Sequence, residues 1–115
     1  MRRLTEKEKS IIHKLLSVVP RNYQYLNDES EYLCESIDEY YSLRIYDANR
    51  SNAEFQQRPI SWGIQKCDGY PFNEGIEFIL FTRLSSLSEL QIFQQGGGDL
   101  CSDIDPSKID VFIAG

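Results

Sequence analysis

The first twenty residues encode one short helix, and this helix constrains what the rest of the chain must form. The sequence TEKE at residues 5–8 has the pattern of a capping box, in which Thr5 and Glu8 bond to each other's backbone amides. Behind it, one apolar stripe recurs at intervals of three and four positions: Ile11, Ile12, Leu15, Leu16 and Val19. Pro20 disfavours helical geometry at the residue before it, which predicts a helix over residues 6–18. Because this helix is short and amphipathic, we expect it to pack on a sheet.

Later segments have the pattern of β-strands. In residues 41–47 the apolar side chains Leu43 and Ile45 alternate with Arg44 and Tyr46. The run IEFILFTR is branched and aromatic, which is typical of a central strand. The predicted strands are residues 32–38, 41–47, 60–67, 76–83 and 88–94, and residues 109–114 form either an edge strand or a docked tail. The fold class predicted is α+β: one domain, residues 1–115, with an N-terminal amphipathic helix packed on a mainly antiparallel sheet of about five strands.

Composition excludes several classes of protein. The chain has 115 residues, and none of its apolar runs reaches the roughly 20 residues that cross a bilayer. The basic N-terminus is not followed by the apolar stretch of a signal peptide. Three widely spaced cysteines do not make the framework of a disulfide-rich secreted domain. We therefore expect a cytoplasmic protein with ordinary thiols and no membrane partner.

The charge of the chain is divided unevenly along its length. Residues 1–21 carry six basic and two acidic residues, whereas residues 22–115 carry six basic and sixteen acidic residues. Nucleic-acid binding depends on Lys and Arg displacing counterions from phosphates, so a body with a charge of −10 argues against a nucleic-acid partner. The same charge attracts a basic protein and speeds the encounter with it. The alternative is that the acidity serves solubility alone.

Acidic residues and tyrosines concentrate in residues 23–47. This segment holds six of the seven tyrosines and seven acids, against a single basic residue, Arg44. Tyrosine supplies rigid contact area at interfaces, and carboxylates pair with Lys or Arg of a partner. About half of the tyrosines are expected to pack inward as strand residues. The predicted partner-binding residues are Asp28, Glu29, Glu31, Glu35, Asp38, Glu39, Tyr40, Tyr41, Tyr46 and Asp47.

The remaining candidates for chemistry are weaker. His13, the only histidine, lies beside the apolar stripe with no nucleophile nearby in sequence, and the cysteines are too far apart for the close pairs of a zinc site. The loop at residues 96–105 has glycines and acids but lacks the calcium-binding and phosphate-binding patterns, so we interpret it as a flexible turn after a strand. The functional alternative for this loop is an adaptable binding loop. The neighbouring acids Glu35 and Asp38 are more typical of an exposed turn than of a hydrolase. We therefore predict no enzyme activity, no catalytic residue, no metal and no cofactor.

Two stretches resemble a group of small bacterial domains found among toxin-immunity proteins. One is Arg3-Leu4-Thr5-Glu6-Lys7-Glu8 with the apolar stripe behind it. The other spans residues 76–100: an apolar strand, a turn, the sequence LSELQIF at residues 87–93 and a polar loop ending in Asp99-Leu100. Two family features are missing here, because the acidic turn at residues 38–41 lacks glycines and Phe93-Gln94 stands where the family has tryptophan and lysine.

The resemblance implies an immunity protein, a binder that protects its producer from a toxin domain delivered by a neighbouring cell. Such toxins are often basic nucleases, which the acidic, tyrosine-rich segment suits. The inhibitor then blocks either the active site or the access of substrate to it. The alternative is a phage-encoded inhibitor of a nucleic-acid-guided defence complex, acting as an acidic mimic of nucleic acid. A small enzyme or a metal-dependent sensor is the third hypothesis.

Overall fold

A computed structural model of the chain describes residues 1–20, 32–37, 41–47, 56–69, 75–83 and 86–113. Within these residues there are one α-helix and a seven-stranded sheet in which all neighbouring strands are antiparallel. The elements are β1 (Arg2–Arg3), α1 (Glu6–Leu16), β2 (Tyr32–Ser36), β3 (Leu43–Asp47), β4 (Arg58–Gln65), β5 (Ile76–Arg83), β6 (Ser86–Gln94) and β7 (Ile109–Ile113), with a short 3-10 helix at Pro106–Lys108. The strand order is β1-β2-β3-β6-β5-β4-β7. The predicted α+β class is confirmed, and the predicted count of about five strands was too low.

The capping box forms as the sequence predicts. The Glu8 amide donates to Thr5 Oγ1 at 3.2 Å, and the Thr5 amide donates to Glu8 Oε1 at 2.7 Å. The helix ends at Leu16, two residues earlier than predicted, because the amide of Ser17 turns back to the carbonyl of Lys14. Its apolar stripe is buried, and Leu15 and Leu16 are fully enclosed.

Glu8 also joins the helix to the first strand. Its two carboxylate oxygens accept from Arg2 Nη1 at 2.7 Å and Arg2 Nη2 at 2.8 Å, a bidentate pair. Burial raises the pKa of Glu8, but the hydrogen bonds from Arg2 and Thr5 outweigh burial and hold that pKa below its ordinary value. The carboxylate form therefore stabilises the folded state.

The pH dependence of stability should show this contribution. Because the pKa of Glu8 is lower in the folded state, its contribution is complete at neutral pH and is lost as pH falls through the folded pKa. We expect Glu8→Gln to lower the free energy of unfolding by about 1 kcal/mol or less at neutral pH, since Arg2 is partly exposed. The difference from the natural chain should become smaller as the pH falls. Urea unfolding at about pH 7 and about pH 3 measures it, and a constant difference at both pH values would contradict this role.

The core lies between α1 and one face of the sheet. Cross-strand pairing places Phe78 of β5 beside Gly63 of β4 and Ile92 of β6 on this face. A Cβ at Gly63 would lie 2.7 Å from Ile109 Cγ2 and 3.0 Å from Leu15 Cδ2, so the glycine allows the helix to approach the sheet. The prediction that residues 76–83 form a central strand is confirmed, because β5 lies between β6 and β4.

The opposite face of the sheet divides into two halves. Near β4 and β7 it is aromatic, and the rings of Trp62 and Phe112 lie 5.0 Å apart between centroids. Near β2, β3 and β6 it carries charged and polar side chains: Glu35, Arg44, Tyr46, Glu89 and Gln91.

Several strand boundaries differ from the prediction for local reasons. β3 begins at Leu43 rather than at residue 41, because Tyr41 has a left-handed backbone with φ of 79° that does not continue a strand. β4 begins at Arg58 and includes Pro59, which is tolerated because β7 pairs with β4 only from Ser61 onward. β6 begins at Ser86, and the run 109–113 is an edge strand. Strand β1 was not predicted.

Two cysteines are joined, against the expectation of ordinary thiols. Cys67 follows β4, Cys101 lies in the loop after β6, and the two form a disulfide with their Cα atoms 6.1 Å apart. The pair is separated by 34 residues in sequence, so its spacing gave no sign that the two strand ends meet. Cys34 is the free cysteine and is buried.

Candidate partner-binding surface

The predicted binding residues lie partly within the described structure. Glu35, Tyr41 and Tyr46 are described with their side chains, and Asp47 ends β3. The side chain of Asp47 lies outside the described residues. So do six predicted residues in full: Asp28, Glu29, Glu31, Asp38, Glu39 and Tyr40.

Glu35 and Tyr46 are two predicted binding residues that contact each other in the described structure. Glu35 pairs with Arg44 across β2 and β3, which puts Glu35, Arg44 and Tyr46 on the sheet face away from the helix. The Tyr46 hydroxyl donates to Glu35 Oε1 at 2.7 Å, and Arg44 Nη1 lies 3.7 Å from the same oxygen. The side chain of Glu35 is 43% exposed. Tyr46 thus fixes the direction of a carboxylate that remains open to solvent.

Arg44 keeps this part of the surface from being purely acidic. Its hydrogen bond with Tyr46, together with the charges of Glu35 and Glu89, raises its pKa. The guanidinium is 54% exposed, so its pairing with Glu35 resembles the ion pairs of a protein surface, which are weak and exchangeable. A partner's Lys or Arg can therefore compete with Arg44 for the Glu35 carboxylate.

A polar group on β6, which was not among the predicted binding residues, extends this surface. Glu89 pairs with Arg44 across β3 and β6. Its carboxylate accepts from Gln57 Nε2 at 3.3 Å and from Gln91 Nε2 at 2.6 Å. A shallow cavity of about 440 Å³ lies here, and its lining includes Arg44, Tyr46, Gln57, Arg83, Ser88 and Glu89. The alternation of Leu90 and Ile92 with Glu89 and Gln91 is the sequence signal that could have placed Glu89 on this face.

Tyr41 belongs to a different place from Glu35 and Tyr46. It is 63% exposed and borders a cleft of about 680 Å³ on the helix side of the sheet. Asp99 and Asp103 of the glycine-rich loop line the same cleft, as do Arg2 and Lys7. The predicted binding segment is therefore divided between two faces. Tyr41 shares its cleft with the loop at residues 96–105, for which an adaptable binding loop was the functional alternative to a flexible turn.

That loop is held firmly at one end. The buried Gln65 side chain donates to the Asp103 carbonyl at 2.8 Å and accepts from the Asp105 amide at 2.8 Å. The buried Gln94 accepts from the Cys101 amide at 2.8 Å. Three exposed glycines at positions 96–98 all have positive φ, which only glycine adopts easily in succession. The disulfide and the two glutamines fix residues 101–105, which lowers the entropic cost of binding there.

Of the six tyrosines in the segment, Tyr32 has a structural role. It is only 4% exposed, and its hydroxyl accepts from the amide of Leu87 at 3.3 Å. This agrees with the expectation that some of these tyrosines are core residues.

The histidine and the three cysteines considered for chemistry all lie within the described structure. His13 is exposed on α1, and Cys67 and Cys101 are consumed by their disulfide. Burial raises the pKa of the Cys34 thiol, which makes it a poor nucleophile. Within the described residues, the His, Cys, Asp and Glu side chains form no group of three that could hold a metal ion.

Comparisons with family models, with curated proteins and with solved structures found no match. Among the described residues, no helix has the length and apolar character needed to cross a membrane.

Proposed function

We propose that this chain is an immunity protein that binds and neutralises a basic bacterial toxin domain, such as a nuclease, in the cytoplasm. The observation that carries the proposal is the charge of residues 22–115, where sixteen acids outnumber six basic residues. Six tyrosines and seven of those acids fall within residues 23–47. Such a segment attracts a cationic enzyme over a distance and offers it apolar contact area on arrival.

Glu35 supplies the best-defined contact of this surface. Its carboxylate is oriented by Tyr46 and is reached from solvent, so an incoming guanidinium meets an acceptor that is already positioned. Orientation before binding reduces the side-chain entropy that association must overcome. Tyr46 then contributes ring area beside the new ion pair.

The cleft beside Tyr41 supplies a second contact region. Asp99 and Asp103 add acceptors there, and the fixed end of the loop keeps Asp103 in place. A partner that contacts both Glu35 and Tyr41 would touch both faces of the sheet at once. We propose that such a partner also contacts Asp38, Glu39 and Tyr40, which lie between these two residues in the sequence.

The function itself is tested by growth. The chain is first used to capture its basic partner from the native host. That partner is then expressed in a bacterial cell in two ways, alone and together with the chain. We expect growth arrest with the captured protein alone and recovery when the chain is present. If the captured protein is harmless, the immunity role is wrong, and capture of a nucleic-acid-guided complex would instead favour the alternative, a phage-encoded inhibitor.

A further inference from the structure

The two edges of the sheet are built differently. β1 is two residues long and consists of two exposed arginines. Short length and charged side chains are both common ways in which an edge strand avoids unwanted strand pairing. β7 is five residues long, with the sequence IDVFI, and holds no proline, no lysine and no bulge. Within the described residues β4 is its one strand neighbour. Among the described strands, one edge of the sheet is thus blocked and the other is open to pairing.

Apolar side chains are exposed on both faces of β7. Phe112 is 44% exposed and lies against Trp62 on the face away from the helix, and Ile113 is 55% exposed on the other face. A strand added beside β7 would cover both faces through cross-strand contacts. Burial of these two side chains would favour the addition of such a strand.

We propose that β7 pairs with β7 of a second copy of this chain, antiparallel about a two-fold axis, so that two sheets join into one. A register centred on Val111 places Ile109 opposite the partner's Ile113 and Asp110 opposite the partner's Phe112. No two carboxylates then face each other, the partly buried Val111 meets its own copy on the axis, and the exposed Ile113 lies beside the buried Ile109 of the partner strand. The strand is therefore complementary to itself.

This pairing leaves the proposed partner-binding surface free. β2 and β7 are five strand spacings apart in the sheet, or about 24 Å. The two interactions also respond oppositely to salt. Copies that each carry a charge of −6 repel one another, so added salt should favour the dimer, whereas it should weaken binding of a basic protein. Failure of one proposal is thus distinguishable from failure of the other.

Sedimentation velocity over a range of protein concentrations tests the dimer. We expect the mass to rise with concentration from 13.4 kDa towards twice that value. Ile113→Lys should raise the dissociation constant at least about tenfold, which corresponds to about 1.4 kcal/mol. The control is Phe93→Lys on β6, a side chain 37% exposed in the interior of the sheet, which should leave association unchanged.

A second measurement keeps the test independent of how the variants fold. Hydrogen exchange of the amides in residues 109–113 should slow as concentration rises. A monomer at every concentration, or equal weakening by both variants, would overturn the proposal. Protection of these amides that does not depend on concentration would also overturn it, because another segment of the same chain would then cover the edge.

Discussion

Loss of the Cys67–Cys101 disulfide is expected to lower the free energy of unfolding by about 3–4 kcal/mol. The bond closes a loop of 34 residues in the unfolded chain, and chain-entropy arguments give a cost of this size for releasing such a loop. The loss is a large part of the 5–15 kcal/mol that stabilises a typical domain. Denaturant unfolding of the oxidised chain and of the double variant Cys67→Ser, Cys101→Ser measures it.

Cys34 provides the matched control for the disulfide. The natural chain should show one free thiol when denatured without reductant and three after reduction. A Cys34→Ala variant should still lose stability on reduction, whereas the double variant should not respond to reductant at all. Three free thiols in the unreduced, air-exposed chain would show that the bond does not form. If reductant leaves the stability of the natural chain unchanged, the bond contributes nothing to it.

The disulfide also bears on the proposed compartment. Reducing systems keep most cytoplasmic thiols unpaired, so a stable disulfide is unusual there. Cys67 is only 8% exposed, which shields the bond from attack by external thiols. Alkylation of thiols in intact host cells would show whether the bond exists where we propose that the protein acts.

Phe78→Ala is expected to lower the free energy of unfolding by about 3–5 kcal/mol. The ring is fully buried at the middle of β5, between Gly63 and Ile92 on the neighbouring strands. Removing it deletes buried apolar area and leaves a cavity that the packed sheet and helix fill only in part. Urea unfolding measures the change as a lower transition midpoint.

Phe93→Ala is the control for the core. Phe93 is the same residue type in the adjacent strand but is 37% exposed on the opposite face. Its truncation should cost less than about 1 kcal/mol, as for most surface substitutions. Similar losses for the two variants would mean that the core does not lie where the structure puts it.

The sequence predicted those parts of the fold that have a local signal. The capping box gave the start of the helix because Thr5 and Glu8 act on each other three residues apart. The alternation of apolar and polar residues over positions 43–46 correctly predicted that Leu43 is buried and that Arg44 lies on the opposite, exposed face of the strand. β1 has only two residues, so it has no period to detect, and it exists because Arg3 pairs with Leu33 thirty residues away.

Long-range contacts account for what was missed in the candidate site. The disulfide and the two loop-anchoring glutamines depend on strand ends that meet only in the folded chain. Gln65 and Gln94 are polar by type and would be assigned to solvent from sequence, yet each is buried and bonded to the loop backbone. Conversely, Glu35 and Tyr46 were predicted from composition, and the antiparallel register of β2 and β3 brings them together.

The most direct test of the central proposal is a paired pull-down from the native host. The baits are the natural chain, the double variant Glu35→Lys, Glu39→Lys, and the control Asp68→Lys, Asp110→Lys. Both double variants change the charge equally, but Asp110 lies on β7, at the far side of the sheet from Glu35. We expect the natural and control baits to capture one stoichiometric basic protein at low salt and much less at high salt. The Glu35 and Glu39 variant should lose it, whereas equal capture by all three baits, or no capture by any, would contradict the account.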